Sequence, residues 1–482
     1  MASYPGMIGP AYQSAAYLAD AERCINFYPE PTESPQPAAR WALLPTPGFS
    51  VLVTVAQAPI RGIFSENGLT LFVAGYALYE YHATLQTATQ RGTVASDDLP
   101  VTFSSNGDAG GQIFITSAGV GYLYVPATTT LSTVLASGAT MGDYLDGYFL
   151  ALDATTSTLQ LSNLLDGSTW DPTQVAQRTA GSDRWVAMKV CNRLIYLIGE
   201  QTSEVWWDSG AFPFPFAPIQ EAFMQQGTAA PWSLAQLVVD GAGSLLWLTA
   251  NAQGRATVVR TNGYTPSRVS THAIEGSLEG YSTIADAVGG CYQEAGHAFY
   301  LLTCPTAAHT WGYDAGTALW HERLSWNPTK AAWTALRAGS FAASPTMNLC
   351  GDRNTGSIYQ MATAFTTDVD GALIRRLRQP PRIAFGQKRF TVNALQLVLD
   401  VGQGLATGQG STPQVMLQSS RDGGQTFGPE RWVSAGPIGA FSTRARWTRL
   451  GSARNRVDRF MMSDPVPWRL VDCEIDVTVG TS

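Results

Sequence analysis

The feature that most narrows what this chain can fold into is a hairpin phrase that keeps returning. An apolar strand runs into a tight polar turn, and a second strand follows with an aromatic or aliphatic pair. It reads LTLFVAGYALYEY at Leu69–Tyr81, QIFITSAGVGYLYV at Gln112–Val125 and GYFLALDATTSTLQLS at Gly147–Ser162. It returns as RLIYLIGEQTSEVWWD at Arg193–Asp208, SLLWLTANAQGRATVVR at Ser244–Arg260 and AFYLLTCPTAAHTWGYD at Ala298–Asp314, with a weaker copy, NLCGDRNTGSIYQM, at Asn348–Met361. Successive copies start about 35 to 55 residues apart, long for a solenoid rung and right for a four-stranded propeller blade. Segments such as LFVAGYALYEY alternate with the period of a strand, not of a helix. The repeats allow six or seven blades. A propeller is a scaffold, so activity must be sought in a site and not in the fold.

The copies occupy residues 51–365. Residues 1–50 read as an extended segment, because Pro, Gly and Tyr punctuate it and PEPTESPQP (Pro29–Pro37) cannot join a sheet interior. One short helix fits near Ser14–Arg23. Gly210–Ala230, with its AFPFPFAPI run, reads as an inter-blade loop. At RRLRQPPR (Arg375–Arg382) the pattern breaks. In residues 366–482, strands are expected near Phe390–Val401, Gln414–Ser420, Thr448–Ser452, Arg459–Met462 and Arg469–Val479, as in a β-sandwich-like domain of about 100 residues. The expected fold class is therefore all-β: a propeller with an extended N-terminal segment and a C-terminal β-sandwich-like domain.

Charged residues make up 14% of the 482, against about 25% in an ordinary soluble domain. That suits a subunit with much of its surface covered by partners. The net charge of −7 is unevenly spread. Gly371–Ser482 holds 15 basic and 8 acidic residues, or +7, which leaves −14 for the first 370. Such asymmetry points to an acidic partner for the C-terminal part, or to the two parts neutralising each other across an internal or subunit interface. Only Lys189, Lys330 and Lys388 are lysines, so the positive charge is arginine, which favours bidentate pairing. Six cysteines without CxxC spacing are expected to be buried, reduced thiols. No signal-peptide pattern opens the chain, and no apolar run reaches the ~18 residues of a membrane span.

SSRDGGQTF (Ser419–Phe427) matches the Asp-box pattern at Ser420, Asp422, Gly424 and Phe427. Asp caps nearby N–H groups and Gly accepts positive φ, so the motif builds a tight hairpin. A looser cousin is SNLLDGSTWD at Ser162–Asp171. Asp boxes recur in sialidase propellers, where they are structural, and one good copy indicates a turn. Glycoside hydrolysis needs two carboxylates ~5–10 Å apart. Asp143, Asp146 and Asp153 lie in hairpin loops and read as turn formers. His82, His272, His297, His309 and His321 show no metal-ligand spacing. Trp206–Trp207 reads as blade packing and not as a sugar platform. No catalytic, cofactor-binding or metal residue is expected, and no enzyme. RARWTRLGSARNRVDRF carries Arg444, Arg446, Arg449, Arg454, Arg456 and Arg459. Such a set could track a nucleic-acid backbone or pair with acidic neighbours in an oligomer.

Several phrases, taken in order, carry a resemblance. RCINFYPE (Arg23–Glu30) is followed by LLPTPGF (Leu43–Phe49), YLDGYFLAL (Tyr144–Leu152), SNLLDGSTWD and GEQTSEVWWDSG (Gly199–Gly210). FMQQGTAAPWSL (Phe223–Leu234), TWGYDAGTALWHER (Thr310–Arg323) and CGDRNTGSIYQM (Cys350–Met361) continue the series. Together they resemble the packaged-DNA stabilisation proteins of short-tailed bacteriophages, also called tail accessory, hub or nozzle proteins, over nearly the whole chain. The resemblance implies six blades, no cofactor and a structural role in the virion tail. It implies a homo-hexamer, assembled in the host cytoplasm below the adaptor (head–tail connector) ring. That ring would continue the DNA channel and retain packaged double-stranded DNA without reading its sequence. It would also dock tail fibres or spikes and a plug or needle. Two rivals stand beside this reading. One is a tail-associated glycan-binding or glycan-cleaving propeller, which needs acids or a Tyr/Arg set in the central pocket. The other is a propeller interaction scaffold of cellular origin.

Overall fold

The computed structural model describes residues 1–178, 180–239, 241–249, 256–344 and 346–481. It is all-β, a propeller with a C-terminal sandwich. Each hairpin phrase supplies the middle strands of a four-stranded antiparallel unit, because those strands are covered on both faces. The first unit runs Ile60–Glu66, Leu69–Ala74, Ala77–His82 and Thr87–Thr93. Units 102–139, 141–177, 185–218 and 235–268 follow. The tip of the copy at Ser244–Arg260, residues 250–255, lies outside the described residues.

The expected six blades are present as six separate four-stranded sheets. A further four-stranded unit, 288–322, is continuous with a larger sheet and completes the ring between 235–268 and 338–362. The unit 338–362 takes its fourth strand from Gly48–Thr54, with Phe49 opposite Met361. The first propeller strand thus closes the ring onto the last. Neighbouring units share apolar layers: Leu150, Leu159, Trp185, Leu197 and Trp206 form one such cluster. Each large side chain so buried contributes about 1.5–3 kcal/mol. Near the axis the innermost strands approach closely at glycine. A Cβ on Gly289 would lie 2.1 Å from the Ser233 carbonyl oxygen, and one on Gly62 would lie 2.7 Å from that of Val101.

The C-terminal part holds two sheets. One joins Phe27–Pro31, Trp41–Pro45, Leu470–Val479, Phe390–Leu399 and Ala445–Thr448. The other is ten-stranded, and it runs from the propeller unit 288–322 through Ala21–Ile25 and Arg376–Gln379 to Val457–Met462, Gln414–Ser420 and Arg431–Ser434. The N-terminal segment is therefore a strap between propeller and sandwich. Ile25 pairs in parallel with Glu322 of the propeller, and Cys24 pairs antiparallel with Arg378 of the sandwich. One core spans the seam, with Phe27, Leu43, Trp320, Leu395, Phe460 and Trp468 in a single cluster.

Three local expectations are corrected. Ser14–Arg23 is not helical: turns lead into the strand Ala21–Ile25. Gly210–Ala230 is not only loop, since Phe216–Pro218 forms the outermost strand of its unit, pairing with Trp206–Asp208. An edge strand tolerates Pro218 because one of its sides needs no N–H donors. Arg376–Gln379, inside the expected junction, is an interior strand of the ten-stranded sheet. Whereas Nε and Nη1 of the equally buried Arg376 have no partner among the described residues, Arg378 is accommodated there because it finds one for every guanidinium nitrogen. Nε donates to Met7 O (2.7 Å), Nη1 to Pro10 O (3.0 Å) and Arg23 O (3.3 Å), and Nη2 to Gly6 O (2.6 Å) and the Glu22 carboxylate (2.5 Å). All six cysteines are free, and all but the half-buried Cys291 are buried. Among the described residues no helix is long and apolar enough to cross a membrane.

Candidate functional site

Many carboxylates of the propeller are occupied by its architecture. Asp153, Asp314 and Asp352 each begin an Asp-x-x-Thr turn. Each accepts from the N–H two residues on (2.9, 2.9 and 2.8 Å) and from the Thr hydroxyl three residues on (2.7, 2.9 and 2.8 Å). Asp166 of SNLLDGSTWD repeats the geometry through Ser168 and Thr169, and bonds from Ser168 first hold its carboxyl down to about 2. Asp143, expected in a hairpin loop, lies instead in the strand Met141–Leu145, where it pairs with Lys189 at 2.9 Å and accepts from the Val190 N–H, while Asp146 pairs with Arg193 at 2.8 Å. Trp206 is buried in the layer between two units, whereas Trp207 is exposed. The axial cavity, about 260 Å³, is lined by Arg61, Lys189, Met141, Met188, Trp232, Phe341 and further apolar or small residues, with no carboxylate, Tyr or His. Among the described residues no group of three or more potential ligands is placed to hold a metal ion.

Chemistry left free for a partner is found on the sandwich. Strand Ala445–Thr448 alternates: Ala445 and Trp447 point into the core, Arg446 and Thr448 to solvent. The strand pairs with Phe390–Leu399, Arg446 opposite Gln396. After it the chain arches out through Arg449 (φ 57°) and Gly451 (φ 77°), pinned by Arg449 N–H to Asn393 O and Leu450 N–H to Val392 O. Arg444, Arg446, Arg449 and Arg454 are exposed, and none forms an ion pair among the described residues.

The other two arginines of the stretch turn inward. Arg456 is fully buried. It grips both oxygens of the equally buried Asp458 (2.8 and 2.7 Å), the Leu450 carbonyl and the Ser419 hydroxyl. Tyr4 of the strap reaches the same carboxylate at 3.4 Å, and burial raises its phenol well above the usual range. Arg459 lies 3.6 Å above the Phe427 ring and donates to Gln379. Burial, with Arg23 nearby, lowers its guanidinium to about 10. The structure thus brings Arg444, Arg446, Arg449 and Arg454 to solvent and puts Arg456 and Arg459 into the frame beneath.

The Asp-box residues complete that frame. Asp422 accepts from the N–H groups of Gln425 and Thr426 (both 3.0 Å) and from the Thr426 hydroxyl; the Ser420 hydroxyl (2.5 Å), the first cause, helps hold its carboxyl far below the usual range. Gly424 (φ 100°) donates to Ser420, and Phe427 is half-buried under Arg459. Between this hairpin and the 449–451 arch opens a cleft of about 520 Å³, floored by Leu417, Phe427 and Leu450 and rimmed by Arg421 and Arg431. Arg431 donates to the Arg449 carbonyl at 3.2 Å. Both rim arginines escaped the reading of the sequence. The available signal was Arg421 directly before the Asp box, but only the fold shows that Arg431 faces it.

Comparison with known proteins adds the following. Residues 12–366 match the family model described as bacteriophage P22 Gp10, β-propeller, and residues 376–478 match the one described as bacteriophage P22 Gp10, β-sandwich. No curated protein sequence is matched. Among solved structures, the N-terminal domain of Nup159 aligns at 10% identity over 70% of this chain and 98% of that one, with a TM-score of 0.41. A chain of the mitotic checkpoint complex aligns at 10% identity over 69% and 96%, TM-score 0.42. The designed Ika8 protein aligns at 7% identity over 70% and 99%, TM-score 0.38.

Proposed function

The chain belongs to the bacteriophage P22 Gp10 family, and it is a phage structural protein; from that membership we propose that it forms the hexameric nozzle of the virion tail. Six copies close into a ring below the adaptor ring, continue the DNA channel and retain packaged DNA. They also carry fibres or spikes and a plug. The work is assembly by interface burial, without catalysis, and the protein assembles in the host cytoplasm. Within each copy, residues 51–365 provide the propeller body, 366–482 the docking domain and 1–50 the strap.

One observation carries this reading: four exposed arginines without carboxylate partners stand in residues 371–482, of net charge +7, attached to residues 1–370, of net charge −14. A surface of that kind fits the acidic flank of the next copy, and such head-to-tail contacts close into rings. The DNA path runs between copies. The axial cavity of about 260 Å³ is below the size of an ordinary small-molecule site and cannot pass a duplex. Negative-stain microscopy of the purified chain, alone and with its adaptor, tests the proposal. Six-fold rings with a central hole are expected in at least the second sample. Monomers in both would end it and send attention to glycan turnover assays.

A further inference from the structure

Two protrusions of this chain are apolar and entirely free of charge, and they sit on different parts of the molecule. The first is the loop of the fourth propeller unit. From Ser209 to Ile219 no residue is ionisable, and Phe212 is 95% exposed at its tip. The loop is built to hold that tip out. Ser209 donates to the Pro215 carbonyl through both N–H (2.8 Å) and hydroxyl (2.7 Å), and Gly210 N–H caps Asp208 (2.9 Å). Phe214 packs edge-on against Trp206 and Phe216 underneath.

The second is a pair of sandwich loops. Val401–Ser420 and Trp432–Thr443 contain no ionisable residue. They lock together through Gly402 N–H to Ala435 O, Gly439 N–H to Gly402 O and Leu405 N–H to Gly410 O. Gly402, Gly408, Gly410, Gly436 and Gly439 hold positive φ, so the pair is a set of tight turns that disfavour other residues at those corners, and at Gly402 and Gly436 a Cβ would also meet neighbouring atoms at 2.9 and 2.5 Å. It presents Leu405, Ile438 and Phe441 at 40, 65 and 71% exposure. Rigid, uncharged protrusions bearing large apolar side chains are costly to leave in water, and in soluble proteins they mark contact sites.

The rims differ in sign. Asp208 and Glu221 flank the propeller loop, and neither is in an ion pair among the described residues. Arg444 and Arg446 flank the sandwich loops, and Asp400 beside Val401 is paired with Arg469 at 3.2 Å. An apolar centre with a charged border is the anatomy of a protein interface, and here the two borders are complementary. The two protrusions do not meet within one molecule. The sandwich joins the ring at unit 288–322, two positions from the unit at 185–218, and Phe212 is bare.

We propose that the Phe212 loop of one copy seats on the Leu405–Ile438–Phe441 loops of a second copy of this chain. This rests on the ring reading above and adds the pair of surfaces that closes it. The contact is heterologous, each copy using one protrusion toward each neighbour.

Sedimentation velocity of the full chain tests it with two variants, Phe212→Ser and the double Ile438→Ser/Phe441→Ser. All three sites are solvent-exposed, so both variants should fold, which circular dichroism verifies. Wild type is expected to self-associate. Each variant alone should lose at least ten-fold in association. An equimolar mixture should form dimers and stop there, because one intact knob and one intact seat remain between unlike copies. Rings that persist in either variant would overturn this proposal while leaving the nozzle reading in place. A mixture that stays monomeric would also overturn it. A wild type that neither self-associates nor enters rings with the adaptor would overturn both. Loop-dependent binding to phosphatidylglycerol vesicles without self-association would assign the sandwich loops to lipid and remove the second copy.

Discussion

The propeller and the sandwich treat their charges in opposite ways. In the propeller most arginine is consumed internally: Arg61 pairs with Asp97, Arg91 with Glu80, Arg178 with Asp183 and Glu204, Arg268 with Glu275, and Arg337 with Asp352 and Asp370, while Arg323 is buried without a carboxylate among the described residues. In the sandwich, Arg456 and Arg378 are consumed in the same manner, but Arg444, Arg446, Arg449 and Arg454 are left without a carboxylate. Buried, paired arginine such as Arg378 and Arg456 fixes the frame, because removing one partner of a buried pair strands the other charge. Unpaired surface arginine costs the monomer little and is worth most when a partner covers it. The same residue type is thus a structural element in one region and an assembly signal in the other.

The comparison breaks first if the buried arginines prove dispensable. Arg378→Leu leaves Glu22 buried without its cation and frees the carbonyls of Gly6, Met7 and Pro10. We expect a loss of about 3–5 kcal/mol in denaturant unfolding and early proteolytic release of the strap. Arg456→Leu should cost about the same, and the double change with Asp458→Leu should recover much of it. If the double variant is no better than the single, the cost lies in packing and not in the stranded carboxylate.

The opposite outcome is expected at the surface. Arg446→Glu with Arg449→Glu should move stability by no more than about 0.5 kcal/mol and yet block ring formation or incorporation into tails. Normal assembly of that variant sinks the docking role. An effect on stability between these two is expected where Arg459 lies on Phe427. Phe427→Ala removes the ring under Arg459 and should cost about 2 kcal/mol, read by thermal melting.

The seam also titrates. Burial lowers His309 to about 4 and His321 to about 3. Unfolded, both titrate near about 6.5, so between those values the unfolded chain binds more protons. Stability should therefore fall as pH drops from about 6.5 toward 4. His297, raised by its hydrogen bond to Asp314, works the other way: its contribution is full below about 6.5 and fades as pH rises through its raised value. His309→Gln should flatten the acid limb of the melting profile. An unchanged limb would move the effect to other groups.

The periodic hairpins, the Asp turns and the strands at Phe390–Leu399, Gln414–Ser420 and Leu470–Val479 could be read from the sequence, because alternation and turn chemistry are local properties. The strand at Ala21–Ile25 could not. Its neighbours are Glu322 and Arg378, some 300 residues away or more, and nothing nearby in the chain calls for a strand. RRLRQ resembles an exposed linker for the same reason, since Glu22 and the strap carbonyls that satisfy Arg378 in an interior strand are about 350 residues away in the chain.

The candidate surface divides along the same line. Sequence alone determined that arginine is concentrated in the C-terminal part and acid before it, for that is a matter of counting. Only the tertiary structure decided which arginines act outward. Arg454 and Arg456 are two residues apart, yet one faces water and the other closes on Asp458. Solvent access and the distance to a carboxylate are set by how sheets stack, and the order of residues along the chain does not contain them.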